Sequence, residues 1–334
     1  MSAMRSDNSG GNEDLRVALL NTEWFPNAGG GAVVVQELAN RLVENHGFEV
    51  EVLTKESDER GNLDQRVKLT QLPRTGTGPR PVTELAYTVG AIDRLTRGEY
   101  DVVHAHTNPA TFSTQLLRLL DSTPSVFTVH GANLDFSVTY AGGLTDTIYS
   151  QLQRLIVTRF EYDSVVSVSD ELTTQLQSYH DDVRYVPNGV DTNAYPSPSN
   201  YDNRELLFVG RLQPKKNVCD IVRAMGDIVE HHPDAHLNVA GEGPRRKEIA
   251  ATVRELGLEE SVTLHGYVSE ATLTDLYRRA SLFVLPSEWE GHPLVLLEAW
   301  AAGLPVVGTD VEGIREYVTD TENGGLVPLG DTQA

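Results

Sequence analysis

The sequence predicts an α/β protein of two doubly wound domains, each a parallel sheet with helices on both faces. Short runs of β-branched residues alternate almost without interruption with segments of helical periodicity. The 334 residues also exceed what one hydrophobic core usually holds. Two such domains facing each other would leave a cleft between them, and open parallel sheets bind ligands at the carboxyl ends of their strands.

The alternation divides the chain into four segments. Residues 1–14 are polar and Gly-rich and are predicted to be a disordered tail. The N-terminal domain is predicted at residues 15–188 and the C-terminal domain at residues 204–334. Between them, residues 189–203 lose both periodicities and collect Pro, Ser and Asn, which is typical of a linker.

Strands are predicted at the short β-branched runs, and helices in most of the intervals between them. In the first domain the predicted strands are residues 16–21, 48–54, 67–72, 100–106, 125–131, 164–169 and 183–188. In the second domain they are residues 205–212, 235–241, 261–267, 281–287 and 305–310.

The composition excludes several classes of protein. There are 27 basic and 48 acidic residues, and the formal charge of −21 argues against binding nucleic acid or anionic lipid through clustered Lys and Arg. The acidic excess fits a halophilic protein, although many acidic proteins work at ordinary salt. A single cysteine, Cys219, excludes an internal disulfide. Without a signal-like or membrane-spanning apolar run, the sequence predicts a cytoplasmic protein.

The loop "FPNAGGGAVVV" joins the first strand to a helix. Gly29, Gly30 and Gly31 let backbone N–H groups approach an anion or a sugar at the helix N-terminus, where the dipole is positive. An ordinary tight turn is the alternative interpretation.

Three histidines stand at predicted strand ends, in "VVHAHTN" and "VFTVHGAN". His104 and His106 share one strand face, but no third ligand has a convincing spacing, so a metal site is not predicted. His130, directly before Gly131, is placed to hydrogen-bond a ligand. For His104 a structural role is at least as good an interpretation.

In "FVGRLQPKKNV", Arg211 and Lys216 lie where a strand turns into a helix. Two cations and the first amides of a helix suit a diphosphate, since they neutralise the charge that grows as a phosphate leaves. A solvated basic turn is the alternative, and the role of Lys215 stays open.

"PSEWEGHPLVLLEAW" places Glu290 and Glu298 eight positions apart, the first in a loop and the second on a helix. That separation, roughly 10 Å at about 1.5 Å per residue, is too long for an acid/base pair on one bond. Carboxylates bind sugar hydroxyls well, and the helix start at Leu294 and Val295 offers free amides. One glutamate per sugar, with phosphates between them, predicts a nucleotide diphosphate sugar. Two surface glutamates are the alternative.

Together these motifs resemble the retaining glycosyltransferases of family 4 (glycosyl transferases group 1). The resemblance runs from about Arg16 to Gly330, and "EGHPLVLLE" carries the family's E-x7-E element. "FPNAGGGA", "VPNGVD", "VGRLQPKKN", "AGEGP" and "FVLPS" follow the expected order. The resemblance implies the GT-B fold of two Rossmann-like domains. It also implies transfer of a hexose from a UDP- or GDP-sugar to a lipid-linked or polysaccharide acceptor in cell-surface glycan synthesis.

The resemblance also implies roles for particular residues. Arg211 and Lys216 match the pair that binds the donor diphosphate, Glu290 the glutamate beside the hexose, and Glu298 the glutamate on the ribose. The catalytic residues it implies are His130, Glu290, Arg211 and Lys216. The donor-binding residues it implies are Gly30, Gly31, Arg211, Lys216, Gly266, Val268, Glu290, Leu294, Val295 and Glu298, with Gly266 and Val268 at the nucleobase.

The family uses no essential metal and no cofactor, and its partners are the donor and a glycan or lipid-linked acceptor. A membrane-docking patch is common in it. Arg154 and Arg159 with neighbouring apolar residues would form one at the inner face of the membrane, but a core-facing helix is the preferred interpretation.

The chain departs from the family pattern in two places. His292 and Pro293 stand where Gly-Phe-Gly commonly follows the first glutamate, and Pro293 lacks the N–H of one backbone contact. The chain stops at "LVPLGDTQA", so the C-terminal crossing helices are expected to be absent. A catalytically impaired or truncated nucleotide-sugar or glycan-binding protein, or a nucleotide-sugar epimerase of the same fold, is the alternative function.

Overall fold

The computed structural model describes residues 15–25, 29–55, 59–72, 80–131, 144–197, 203–319 and 321–333. The predicted tail, residues 1–14, lies outside the described residues, as do residues 198–202 of the predicted linker. The chain divides into two compact units between Val186 and Pro187.

The first unit is built on a seven-stranded parallel sheet with the order β3-β2-β1-β4-β5-β6-β7. Its strands are β1 (Arg16–Leu20), β2 (Glu49–Lys55), β3 (Lys68–Leu72), β4 (Val102–Ala105), β5 (Ser125–Val129), β6 (Ser164–Ser167) and β7 (Val183–Tyr185). The helices described in this unit are α1 (Gly30–His46), α2 (Arg80–Arg97), α3 (Asn108–Arg118), α4 (Leu144–Arg159) and α5 (Asp170–Leu176).

Both faces of this sheet are buried. Successive side chains of a strand point to opposite faces, and β1 sends Ala18 and Leu20 into one apolar cluster but Val17 and Leu19 into another. The central strand is therefore apolar throughout, as expected for a parallel sheet covered on both sides.

The second unit has a six-stranded parallel sheet with the order β10-β9-β8-β11-β12-β13. Its strands are β8 (Glu205–Val209), β9 (His236–Ala240), β10 (Val262–Gly266), β11 (Leu282–Leu285), β12 (Val306–Thr309) and β13 (Gly324–Val327). The helices described here are α6 (Val218–His231), α7 (Arg246–Glu255), α8 (Glu270–Arg279) and α9 (Leu294–Ala301), with 3-10 turns at Thr192–Ala194 and Pro214–Lys216.

The predicted fold class of two doubly wound parallel-sheet domains is confirmed. Every predicted strand overlaps an observed one, but β13 was not predicted because its sequence begins with two glycines, which are poor strand formers. A Cβ at Gly324 would lie 2.2 Å from the Val306 carbonyl oxygen, so the close approach of this edge strand needs glycine. After β13, the described residues up to Gln333 form no further helix.

The strand order places the predicted site residues at the switch points of the two sheets. The winding reverses between β1 and β4 in the first sheet and between β8 and β11 in the second. Ligands bind outside the carboxyl ends of strands at such points. Gly30 and Gly31 follow β1, Arg211 and Lys216 follow β8, and Glu290 follows β11.

A buried carboxylate network ties β2 to β3 and to α2. The carboxylate of Glu51 accepts hydrogen bonds from Arg94 Nε at 2.6 Å, Thr70 Oγ1 at 2.7 Å and the Tyr100 hydroxyl at 2.8 Å. Burial raises the pKa of Glu51, but these donors and Lys68 outweigh burial and lower it to about 2.

Replacing Glu51 by Gln should therefore destabilise the first unit. The folded pKa lies below the unfolded value of 4.5, so the stabilisation is full above that pH and is lost as the pH falls towards about 2. At pH 7 we expect Glu51→Gln to lower the free energy of unfolding by about 2–3 kcal/mol, measured by urea unfolding. Glu49→Gln on the same strand is the control, because that side chain is 66% exposed. Equal effects of the two changes would contradict the assignment.

Candidate active site

A cluster of charged side chains lies at the carboxyl ends of β8 and β11. The Nζ atom of Lys216 contacts the Glu290 carboxylate, and the two side chains are only 13% and 9% exposed. Lys216 ends the 3-10 turn Pro214–Lys216, and the left-handed Asn217 then starts α6. The strand-to-helix turn predicted from the sequence thus holds Lys216 against the loop that follows β11.

Lys215 also connects the loop after β8 to the loop after β11. Its carbonyl oxygen accepts a hydrogen bond from the Glu288 backbone nitrogen at 2.8 Å, and its Nζ lies 5.0 Å from the centre of the Trp289 ring. Burial lowers the pKa of Lys215, Glu290 raises it, and the positive charges of Lys216 and Arg211 lower it further. Arg211 therefore belongs to the same electrostatic cluster.

The backbone at Glu290 depends on a glycine from a later loop. Gly313 has φ +75°, and a Cβ there would lie 2.1 Å from the Glu290 carbonyl oxygen. Only glycine allows this approach. The sequence analysis assigned no role to Gly313.

Glu298, the fifth residue of α9, is held by two tyrosines. The hydroxyl of Tyr277 donates to Oε2 at 2.7 Å, and Tyr195 supplies a second hydrogen bond. The two rings pack edge to face, with centroids 5.4 Å apart. Burial raises the pKa of Glu298, and the two hydroxyls offset this only in part. Sequence reasoning missed both tyrosines, since neither is adjacent to Glu298 in the chain.

His292 has a structural role that explains one departure from the family pattern. Its Nδ1 accepts a hydrogen bond from the Asn188 backbone nitrogen at 3.1 Å, and its carbonyl oxygen accepts one from Asn188 Nδ2 at 3.2 Å. The ring is buried and stacks on Tyr317 with centroids 4.4 Å apart. Pro293 then serves as the N-cap of α9.

The remaining predicted residues of the second unit lie at the same sheet edge or beside it. Leu294 and Val295 form the first turn of α9, where backbone amides lack helical partners. Gly266 ends β10 with φ +71°, and its carbonyl oxygen accepts from the Gly241 nitrogen at 2.8 Å. Val268 packs against the core of this unit.

In the first unit, the structure brings a glycine and three histidines together. A Cβ on Gly31, the second residue of α1 after Gly30, would lie 3.7 Å from the His130 ring. His106 Nδ1 lies 3.0 Å from His130 Nε2, and His104 Nε2 lies 2.7 Å from Thr128 Oγ1. Burial lowers the pKa of His104 to about 3 and that of His130 to about 4.

The sequence analysis assigned no role to His106 and found no third metal ligand at a convincing spacing from His104 and His106. Within the described ranges, no group of three or more His, Cys, Asp or Glu side chains is arranged to hold a metal ion. The i, i+2 spacing placed His104 and His106 on one strand face. That His130 lies beside His106 follows only from the pairing of β4 with β5.

Helix α4, which was considered for membrane docking, has some side chains buried in the core and others exposed to solvent. Arg154 and Ile156 are buried, whereas Leu155 is 49% exposed and Arg159 is exposed. The core-facing interpretation therefore holds for Arg154 and Ile156. Among the helices of the described segments, none combines the length and the apolar character needed to cross a membrane.

The Lys216–Glu290 pair should couple strongly in stability measurements. Lys216→Met leaves a buried carboxylate without its cation, so we expect a loss of about 3 kcal/mol in the free energy of unfolding without ligand. Lys216→Met/Glu290→Gln should recover much of this loss, with a coupling energy of about 1–3 kcal/mol in a double-mutant cycle. Arg204→Met with Glu290→Gln is the matched control cycle, because Arg204 pairs with Asp234 and not with Glu290. Strict additivity for Lys216 and Glu290 would contradict the pair.

Glu298→Gln should leave the protein at least as stable as the wild type at pH 7.5. The folded pKa of Glu298 is raised, so the ionised carboxylate opposes folding above that pKa, and the group favours folding fully only below the unfolded value. Glutamine keeps an acceptor for the tyrosines without the charge. We expect a melting temperature higher by about 1–4 °C at pH 7.5 and a smaller gain at pH 5. A melting temperature below that of the wild type at pH 7.5 would contradict the raised pKa of Glu298.

Two family models together match almost the whole chain. The model described as Glycosyltransferase Family 4 matches residues 28–194, and the model described as Glycosyl transferases group 1 matches residues 191–334. An uncharacterised glycosyltransferase of Methanocaldococcus jannaschii is 30% identical over 340 residues, which cover 93% of this chain and 84% of the relative.

A second relative is similar in sequence, and one solved structure has the same fold. The UDP-Gal:alpha-D-GlcNAc-diphosphoundecaprenol alpha-1,3-galactosyltransferase of Escherichia coli is 25% identical over 315 residues, covering 87% of this chain and 79% of the relative. The sucrose-phosphate synthase structure from Thermosynechococcus elongatus has a TM-score of 0.83 at 22% identity, covering 96% of this chain and 87% of that one. The protein therefore belongs to the family 4 glycosyltransferases and has their GT-B fold.

Proposed function

We propose that this glycosyltransferase moves a hexose, with retention of anomeric configuration and without a metal ion, from a nucleotide diphosphate sugar to an acceptor. The acceptor is a lipid-linked or polysaccharide glycan of the cell surface. The cluster of Arg211, Lys215, Lys216 and Glu290 at the switch point of the second sheet carries the proposal. It concentrates three cations in a chain whose formal charge is −21.

In this proposal, donor binding exchanges the partners of a buried ion pair. The diphosphate takes Lys216 and Arg211 through charge-assisted hydrogen bonds. The Glu290 carboxylate, which contacts Lys216 in the structure, then accepts hydrogen bonds from hexose hydroxyls. As the bond from the anomeric carbon to the phosphate oxygen breaks, the two cations stabilise the growing charge of the leaving group, which is the task a metal ion performs elsewhere.

The nucleoside is assigned to the other residues of the second unit. Glu298, oriented by its tyrosines, accepts from the ribose hydroxyls, and the first amides of α9 at Leu294 and Val295 face the phosphates. Gly266 and Val268 meet the base. The Escherichia coli relative is named for a UDP-sugar donor, which makes UDP the first nucleotide to test and GDP the second.

The first unit is assigned to the transferred hexose and the acceptor. Gly30 and Gly31 leave room for a ligand at the start of α1, and His130 hydrogen-bonds the hexose. The acceptor hydroxyl forms the new bond to the anomeric carbon on the face that the diphosphate leaves, and its proton passes to the departing phosphate oxygen. No covalent enzyme intermediate is needed in this step.

Calorimetric titration of the full chain with UDP, GDP and ADP, in low and in molar salt, tests the donor site. EDTA is present throughout, because the proposal uses protein cations alone. We expect micromolar binding of one nucleotide and a loss of at least about tenfold in Arg211→Ala, which removes a charge-assisted contact. Arg204→Ala is the control, since that exposed arginine pairs with Asp234 at the opposite end of β8. Binding that survives Arg211→Ala, or no binding of any nucleotide, would overturn the proposal.

A further inference from the structure

His106 and His130 share a hydrogen bond, and the surrounding geometry determines which of the two rings is the donor. His106 Nδ1 and His130 Nε2 lie 3.0 Å apart, which is the length of one hydrogen bond. Burial lowers the pKa of both imidazoles, so each ring is neutral near pH 7 and carries a single N–H. One ring therefore donates and the other accepts.

The second nitrogen of His106 decides the direction. His106 is only 4% exposed, and its Nε2 is buried without a hydrogen-bond partner among the residues that the structure describes. If His130 donated, His106 would carry its proton on Nε2 and bury an N–H with no acceptor, which proteins avoid. If His106 donates from Nδ1, its Nε2 is a lone pair, and an unused acceptor is tolerated more often.

The position of His106 suits a supporting role. It lies directly after β4, and the pairing of β4 with β5 sets its distance from His130. Its ring also lies against His104, with centroids 4.1 Å apart, and His104 is itself held by Thr128. The hydrogen bond between His104 and Thr128 therefore holds the far end of this row of rings.

We propose that His106 is a positioning residue that donates from Nδ1 to Nε2 of His130 and so fixes His130 in the tautomer with its proton on Nδ1. The consequence for transfer rests on the proposed function of His130. In this tautomer His130 offers a ligand an N–H at Nδ1 and not a lone pair. It therefore binds an oxygen of the donor hexose as a hydrogen-bond donor.

The tautomer can be measured without substrate. The full chain is labelled with ¹⁵N-histidine, and long-range ¹H–¹⁵N correlation spectra distinguish protonated from unprotonated ring nitrogens. Single substitutions assign the signals of the 10 histidines. We expect His130 to show a protonated Nδ1 and an unprotonated Nε2 in the wild type.

Matched variants separate positioning from packing. His106→Phe keeps a ring but removes the donor, so we expect the His130 proton to redistribute towards Nε2. In His106→Asn the side-chain amide replaces Nδ1–H, and the wild-type tautomer should persist. His104→Gln, which keeps a nitrogen near Thr128 and leaves the His106 donor in place, is the control and should leave the His130 proton on Nδ1.

Transfer kinetics provide a second readout once the titration above has identified the nucleotide. His106→Phe should lower kcat by on the order of tenfold, with rescue by His106→Asn, while the affinity for the free nucleotide is unchanged. A His130 proton on Nε2 in the wild type, or a tautomer unaffected by His106→Phe, overturns the proposal. If His106→Phe does not fold, the wild-type and His106→Asn spectra still decide it. If the spectra are as expected but His130→Phe transfers hexose normally, the tautomer assignment stands and the proposed function of His130 fails.

Discussion

The arrangement of this protein depends on a constraint of parallel sheets: each strand must return to the same starting edge through a crossover. All carboxyl ends of the strands consequently collect at one edge, however far apart they are in the chain. Lys216 and Glu290 are 74 positions apart, yet β8 and β11 are neighbours and their loops meet. The same rule brings His106 and His130 together across β4 and β5.

The charges at this edge differ from those of the chain as a whole. The chain has 48 acidic and 27 basic residues, and salt screens the repulsion between acidic side chains that are exposed to solvent. The cluster of Arg211, Lys215 and Lys216 is largely shielded from solvent, so its charges are screened much less. The negative charge of Glu290 offsets part of the repulsion among these three neighbouring cations. A diphosphate would supply the same balance from the ligand.

The fold was predictable because its signals are local. Alternating periodicities gave every strand except β13, whose two glycines carry no strand signal. The turn at Lys216 and the helix that begins at Leu294 follow from local residues in the same way. The residues that hold the site residues in place were not predictable, because they belong to elements that are far apart in the sequence.

Tyr277, for example, orients Glu298 from another helix, 21 positions away. Gly313 touches Glu290 only because a later loop returns to the site, and no pattern around Gly313 identifies that neighbour. His106 could be placed on a strand face from its spacing with His104. Its partner His130 depends on which strand lies next to β4 in the sheet.

The contact between His292 and Asn188 has a consequence for enzyme engineering. Under the proposed function, position 292 is a target for altering which sugar the enzyme accepts, and the family pattern has phenylalanine there. However, the His292 ring accepts the backbone N–H of Asn188, and no side-chain change at 188 other than proline removes that donor. Phenylalanine would leave a part-buried amide unsatisfied, at a cost of about 1–3 kcal/mol. Replacing His292 is therefore costly because its partner is a main-chain group that a second side-chain substitution cannot adjust. A variant at position 292 would also need a rebuilt backbone around Asn188.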